Sequence, residues 1–336
     1  MDHHAKLLFT EDILKTFLKI FEIEFSKCKP VRANNNFIYE VSKGANTYIL
    51  RVTPAEQKSF HLIESENQWI QFLYGKGINT AQVIASPRGK EIETVENGLT
   101  TFHAILYTKI EGQGWPSLGP NAALLNKWGA LVGRMHAATE EYHPKGLIYR
   151  GIDWHHEFLN AEKHVPSEKE QVLERILENK KQIAGMDQTR GSFNLIHYDV
   201  NPSNLIEVQN EFWVYDFDDC HYDFLLADIA SALFWFIDIP VLFSTRNIPA
   251  ARDHMISSFF KHFFAGYKTY YHLDRLDLGK LNLFLIRRVM DLYVNFFRSY
   301  DISKLNQAHP AVLPAFEEAI VKNIEIVPQG YLGLNR

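Results

Sequence analysis

Apolar residues recur at helical spacing from 10 to 26, where Ile13, Leu14, Phe17, Leu18 and Phe21 fall on one stripe. Thr10 stands ahead of it as a cap, and Glu11 and Asp12 occupy the first turn, where the helix dipole favours negative charge. Alternation then predicts strands over 36–41 and 46–52, joined through Ser42-Lys43-Gly44-Ala45, a hairpin signal. A helix follows over 55–75 with Leu62, Trp69 and Leu73 on its apolar stripe, and Gly75-Lys76-Gly77 stops it. Shorter strand patterns occupy 81–85, 91–95 and 100–108. Beyond them the period turns helical. Residues 120–139 present Leu124, Trp128, Leu131 and Met135, with His136 beside the stripe as a satisfied core histidine. Residues 166–184 carry a charged face, 223–236 are nearly all apolar, and 249–268, 278–299 and 310–324 are helical and rich in aromatic residues.

One stretch, 194–219, is organised differently. Leu195-Ile196 lead into His197-Tyr198-Asp199, and Asn204 comes five residues after Asp199. A short strand pattern (Leu205, Ile206, Val208) meets a turn at Gln209-Asn210-Glu211, and a second strand (Phe212, Trp213, Val214) runs to Asp216. The hairpin therefore returns a second carboxylate to the loop that holds Asp199 and Asn204. Such a layout suits phosphoryl transfer. The attacking hydroxyl needs one unligated carboxylate to orient it and take its proton. The phosphates bring Mg²⁺, which prefers hard oxygen ligands and takes only one or two from protein. Protein kinases use His-Arg-Asp-x4-Asn followed by a metal-binding Asp. Here Tyr198 stands in the place of that Arg.

Residues 197–204 and 216–219 resemble the aminoglycoside phosphotransferase and choline kinase branch of the protein-kinase-like fold. The order and spacing of motifs agree over about residues 30–240, and the last hundred residues agree only in being helical. The resemblance implies an α+β, two-lobed protein-kinase-like fold, with a small antiparallel-sheet N-lobe over 1–108 and a large helical C-lobe over 109–336. It implies an ATP-dependent phosphotransferase that moves the γ-phosphate to a hydroxyl of a small molecule, an amino alcohol or amino sugar, with ATP and Mg²⁺ as cofactors. The same branch offers two alternatives: a bacterial Ser/Thr protein kinase of the stress-response type, and a nucleotide-binding module without catalysis.

Carried onto this chain, the resemblance makes Asp199 the catalytic residue and Asn204 and Asp216 the metal ligands. Arg51 ends the second strand where protein kinases place the phosphate-pairing Lys. Glu66 lies on the buried stripe of the next helix and Glu64 does not, so Glu66 is the expected partner of Arg51; a buried carboxylate needs one. Residues 108–112 resemble the hinge and put Tyr107 and Lys109 at the nucleotide. Asn34-Asn35-Asn36 take the phosphate-loop position in place of glycines. His197 would tie the loop to the core near Asp216, and Asp228 would accept the loop's backbone N–H groups. Eukaryotic-type kinases place Lys two residues after the catalytic Asp; Asn201 stands there in this chain, so some other cation must balance the transferring phosphate, or Mg²⁺ does more of the work. Asp218 is left open between a second metal and the substrate.

Composition narrows the partners. With 35 Lys and Arg against 40 Asp and Glu, net charge −5, the chain has no basic excess for a nucleic acid. Its two cysteines, Cys28 and Cys220, have no metal-type spacing and make no disulfide framework, so a reducing cytoplasm is the simplest location. The N-terminus lacks the apolar core of a signal peptide. The apolar run 224–243 contains Asp228, Asp238 and Pro240 and reads as a buried helix rather than a membrane span. The expected partner is a small-molecule hydroxyl substrate. Asp153, Glu157, Asp219, Asp223 and Asp238 are candidate acids for an amine on it, and the polar cluster 150–157 is either a substrate segment or a capped surface helix. Phe37, Ile49 and Leu106 in the first part, and Phe234, Trp235, Tyr293, Phe296 and Phe297 in the second, are either pocket walls or core.

Overall fold

The computed structural model describes residues 7–33, 36–115, 121–144, 161–237 and 249–332. The chain divides into two compact units, Met1–Gly112 with His143–Arg150, and Gln113–Tyr142 with Gly151–Arg336.

The first unit is built on a sheet with helices packed against it. Helix α1 (Glu11–Ile20) is capped by Thr10, whose hydroxyl accepts from the Ile13 N–H at 3.4 Å, and it buries the expected stripe. It stops sooner than the pattern suggests: Glu22 adopts φ 55° and turns the chain toward β1 (Cys28–Ala33). That strand has no signature in the sequence because it is the sheet edge, with every residue after Cys28 exposed. Strands β2 (Phe37–Lys43) and β3 (Asn46–Pro54) form the predicted hairpin, with Lys43 opposite Asn46 and Gly44 at φ 63°.

Helix α2 (Phe60–Gly75) starts at its cap, Ser59, and not at 55; it buries Ile63, Glu66, Trp69, Ile70 and Leu73 while Leu62 stays half-buried. Strands β4 (Val83–Ile84), β5 (Glu93–Glu96) and β6 (Thr101–Thr108) complete a six-stranded antiparallel sheet of order β1-β2-β3-β6-β4, with β5 also on β6. Phe37 and Leu106 belong to the core between this sheet and α1, where Phe37 stacks on Phe9 at 4.0 Å.

The second unit is mostly helical. Strand β7 (Gln113–Gly114) leads to α3 (Ala122–Thr139), then α4 (Glu170–Ala184). Four short strands follow: β8 (Phe193–Ile196), β9 (Leu205–Val208), β10 (Glu211–Val214) and β11 (His221–Phe224). Then come α5 (Leu225–Phe236), α6 (Pro249–Tyr267), α7 (Leu281–Ser299) and α8 (Val312–Val321). The residues expected to open the buried helix at 223 instead finish β11, which pairs with β8 so that His221 faces Ile196. Helices α3 and α6 meet through glycine: a Cβ on Gly129 would lie 1.8 Å from the Phe263 carbonyl oxygen, and one on Gly266 would lie 1.9 Å from that of Asn126. Helix α7 packs on α5 and α8. The α+β expectation therefore holds, with an antiparallel sheet first and helices after it. Among the described residues no helix is long and apolar enough to cross a membrane.

Candidate active site

The loop between β8 and β9 is held from behind. Asp228, wholly buried in the first turn of α5, accepts the N–H of His197 at 3.2 Å and that of Tyr198 at 2.5 Å. Tyr198 sits at φ 66°, a costly conformation for a bulky residue. The two bonds to Asp228 and a third from the Tyr198 hydroxyl to Asp291 hold it there. His136 on α3 reaches the same Asp228, with its Nε2 at 3.1 Å and its Nδ1 on the Tyr267 hydroxyl at 2.8 Å. It is a satisfied core histidine, as expected, and it also braces the loop. From the other side, the Trp128 indole N–H donates to the Val200 carbonyl at 3.1 Å.

His197 does tie the loop to the hairpin. Its Nδ1 accepts from the Asp199 N–H at 3.3 Å, which leaves the proton on Nε2 to be donated to the Tyr215 carbonyl at 3.1 Å. The Phe217 ring packs on it, centroids 4.5 Å apart. The hairpin turn, Gln209-Asn210, has both residues at positive φ, the two-residue geometry that matches strand twist. The Tyr215 N–H then bonds the Asn204 carbonyl at 3.2 Å, so Asp216 follows directly beside Asn204, itself at φ 64°.

At the centre, Asn204 donates its amide N–H to the Asp199 backbone carbonyl at 2.9 Å and to Asp199 Oδ2 at 3.0 Å. Its amide oxygen accepts no hydrogen bond among the described residues, which leaves an oxygen free to meet a hard cation. One amide oxygen with one neighbouring carboxylate is a donor set suited to Mg²⁺ that takes its other ligands from water and phosphate. Among the described residues no group of three or more His, Cys, Asp or Glu could hold a metal ion.

The first unit assembles its own pair. Arg51 and Glu66 meet fork to fork, Nη1 to Oε1 at 2.6 Å and Nη2 to Oε2 at 3.0 Å, both side chains buried. The Tyr107 ring lies 5.3 Å from the Arg51 guanidinium, and its hydroxyl donates to Asn67 at 3.1 Å. Lys109 stands apart from this group, paired with Glu40 at 2.9 Å. Asn34, Asn35, the 150–157 cluster and Asp238 lie outside the described residues. Asn36 accepts from the Thr53 hydroxyl at 2.7 Å.

A model of the phosphotransferase enzyme family matches residues 27–275. The chain belongs to that family. The amicoumacin kinase of Bacillus subtilis (strain 168) is 26% identical over 287 residues, 85% of this chain and 84% of that protein. The solved structure of the amicoumacin kinase hAmiN in complex with AMP-PNP, Ca²⁺ and Ami superposes with TM-score 0.90 at 27% identity and 98% coverage of both chains. A microcompartment-associated aminopropanol kinase shares the fold, with TM-score 0.75 at 18% identity, covering 95% of this chain and all of that one. The expectation of an ATP-dependent enzyme that phosphorylates a hydroxyl of a small molecule is met, and neither alternative is favoured.

Two arginines of α7, which the sequence pattern did not single out, reach this region. Arg288 of α7 donates to Asp199 Oδ1 at 2.8 Å, so each carboxylate oxygen of Asp199 has one protein donor. Burial works to lower the Arg288 pKa, but Asp199, Tyr198 and Asp291 outweigh it and hold the guanidinium above its ordinary value. This is a cation at the Asp199 carboxylate, supplied by a distant helix in a chain whose loop has Asn201 where a Lys would stand. Its neighbour Arg287 is fully buried on Asp223, which also meets His221. Asp223 is thereby removed from the candidate substrate acids: it has no exposure and its charge is spent inside. Phe234 and Tyr293 are core, the latter with its hydroxyl on Glu317 at 2.8 Å. One signal could have found the arginines. Arg287 and Arg288 interrupt an otherwise apolar run, Leu285-Ile286 and Val289-Met290, and a charge on a buried helix face needs a partner, the same reasoning that selected Glu66.

Proposed function

We propose that the chain is a kinase for a small amine-bearing alcohol, using Mg²⁺ and ATP. The observation that carries this is the convergence of Asp199, Asn204 and the Asp216 strand end on one loop, held by Asp228 and His197. Asp199 orients the acceptor hydroxyl. Its two donors, Arg288 and Asn204, fix the plane of the carboxylate and leave each oxygen a further lone pair for the substrate O–H. The hydroxyl oxygen bonds to the γ-phosphorus, the bond to the β-phosphate bridging oxygen breaks, ADP leaves, and the hydroxyl proton passes to Asp199. Asn204 and Asp216 would hold the cation, which neutralises phosphate charge when bound. Arg51, kept straight by Glu66, would position the outer phosphates, with Tyr107 and Lys109 on the nucleotide side. The names of the relatives support a small-molecule acceptor, amicoumacin in one and aminopropanol in the other, and aminopropanol is an amine-bearing alcohol.

Screening a library of hydroxyl compounds for ADP release, with the phosphorylated product identified by mass, tests the reading. A phosphorylated amine-bearing alcohol is expected. Label appearing only on protein, or no Mg-dependent nucleotide binding at all, would sink it.

A further inference from the structure

Near the Asp199 carboxylate two buried hydrogen-bond donors have no acceptor among the described residues. Arg288 spends Nη2 on Asp199, while its Nε–H is buried without an acceptor. Its guanidinium lies 4.9 Å from the Tyr198 ring centroid and 5.9 Å from that of Trp235. The Trp235 indole N–H is likewise buried and unbonded, and so is the Ser231 hydroxyl one turn earlier on α5. Asp228, Ser231 and Trp235 follow at i, i+3 and i+7, so they share one helix face. The end of that face at Asp228 grips the catalytic loop. The helix that positions Asp199 from behind therefore presents unsatisfied groups further along. Folded proteins keep few such groups without a protein, water or ligand partner.

We propose that Arg288 and Trp235 form a subsite for the acceptor molecule, and that this molecule places a second oxygen, a hydroxyl or a carbonyl, next to the hydroxyl that is phosphorylated. Nitrogen–hydrogen donors bond oxygen lone pairs and repel an ammonium. Asp199 already balances the Arg288 charge, so a neutral oxygen fits better than a carboxylate. The substrate's amine then lies away from this subsite, on another side of the reacting hydroxyl. The inference rests on the small-molecule kinase reading and narrows it.

The test uses the full chain, with Trp235→Phe (ring kept, N–H removed) and Arg288→Lys (charge kept, fork removed). Calorimetry with Mg·AMP-PNP measures nucleotide binding. ADP release is then compared between aminoethanol and aminopropanol, with one hydroxyl each, and aminopropanediol and isoserinamide, which add a neighbouring hydroxyl or carboxamide. The second pair is expected to be favoured in kcat/KM by at least about tenfold. Each variant should collapse that preference while KM for ATP holds. A wild-type preference for the single-hydroxyl pair, or a preference retained in both variants, overturns the subsite. Nucleotide binding with turnover of neither pair overturns it too. Absence of nucleotide binding defeats the kinase reading itself and is thereby told apart.

Discussion

His136 Nε2 lies 3.1 Å from Asp228 Oδ2, the same oxygen that accepts the His197 amide hydrogen. One buried carboxylate thus joins α3, α5 and the loop that carries Asp199. Burial, with Tyr271 and Asp228 nearby, holds the Tyr267 phenol well above its usual pKa, so it stays a donor to His136. Asp228→Asn keeps one acceptor oxygen and turns an NH₂ toward donors. Each charge-assisted bond lost is worth about 1.5–3 kcal/mol. The melting temperature and the rate of ADP release should fall together.

Asp199→Asn separates binding from chemistry. The amide cannot take the hydroxyl proton, and turnover should fall by roughly 10²–10⁴-fold. Affinity for Mg·AMP-PNP, measured by calorimetry, should stay nearly intact. Unchanged turnover in a clean preparation would remove Asp199 from its role.

Asn204→Ala and Asp216→Ala should act on the nucleotide instead. With the hard oxygen donors gone, titrations with and without Mg²⁺ should converge on the same weak affinity. A full Mg²⁺ effect surviving in both variants would place the cation elsewhere.

In the first unit, Glu66→Gln leaves the Arg51 guanidinium buried with half its partner. Breaking one side of a buried ion pair costs about 3–5 kcal/mol. The double variant Arg51→Met with Glu66→Leu should recover much of that loss in a urea denaturation series. If it melts no better than the single variant, the pair is held for reasons other than charge matching.

Acid should act through Asp223. Burial alone would raise its pKa, but Arg287 and His221 overcome that and hold it below the ordinary carboxylate value. A depressed folded-state pKa gives stability that is complete above the unfolded value, about pH 4, and drains away as pH falls through the lower native one. Arg287→Met removes the largest cause of the depression and leaves burial to raise the Asp223 pKa, so the variant should be less stable than the wild type at neutral pH and the gap between the two should narrow as pH falls below about 4, followed by circular dichroism.

The sequence showed most where a residue's type conflicts with its place in a pattern. Glu66 on an apolar stripe implied a buried partner, and Arg51 meets it. His197, Asp199 and Asn204 were legible because their spacing is short and local. What escaped was set by distance or by solvent. The edge strand β1 has no alternation because water covers both its faces. The link from Arg288 to Asp199 spans 89 residues, and no periodicity reports a contact between a loop and a helix so far apart. Helix starts moved to the nearest cap, Ser59 for α2, because hydrogen-bonding of the first turn outweighs propensity.

The glycine seam between α3 and α6 has a mechanical meaning. Backbone lies against backbone at Gly129 and Gly266, with no room for even one methyl group. Sliding either helix by one turn would drive side chains into the other's carbonyls, so the pair has a single permitted register. Trp128, which holds the Asp199 loop at Val200, neighbours Gly129 at that joint. A joint packed this closely resists sliding, and the loop that carries Asp199 leans on it through Trp128.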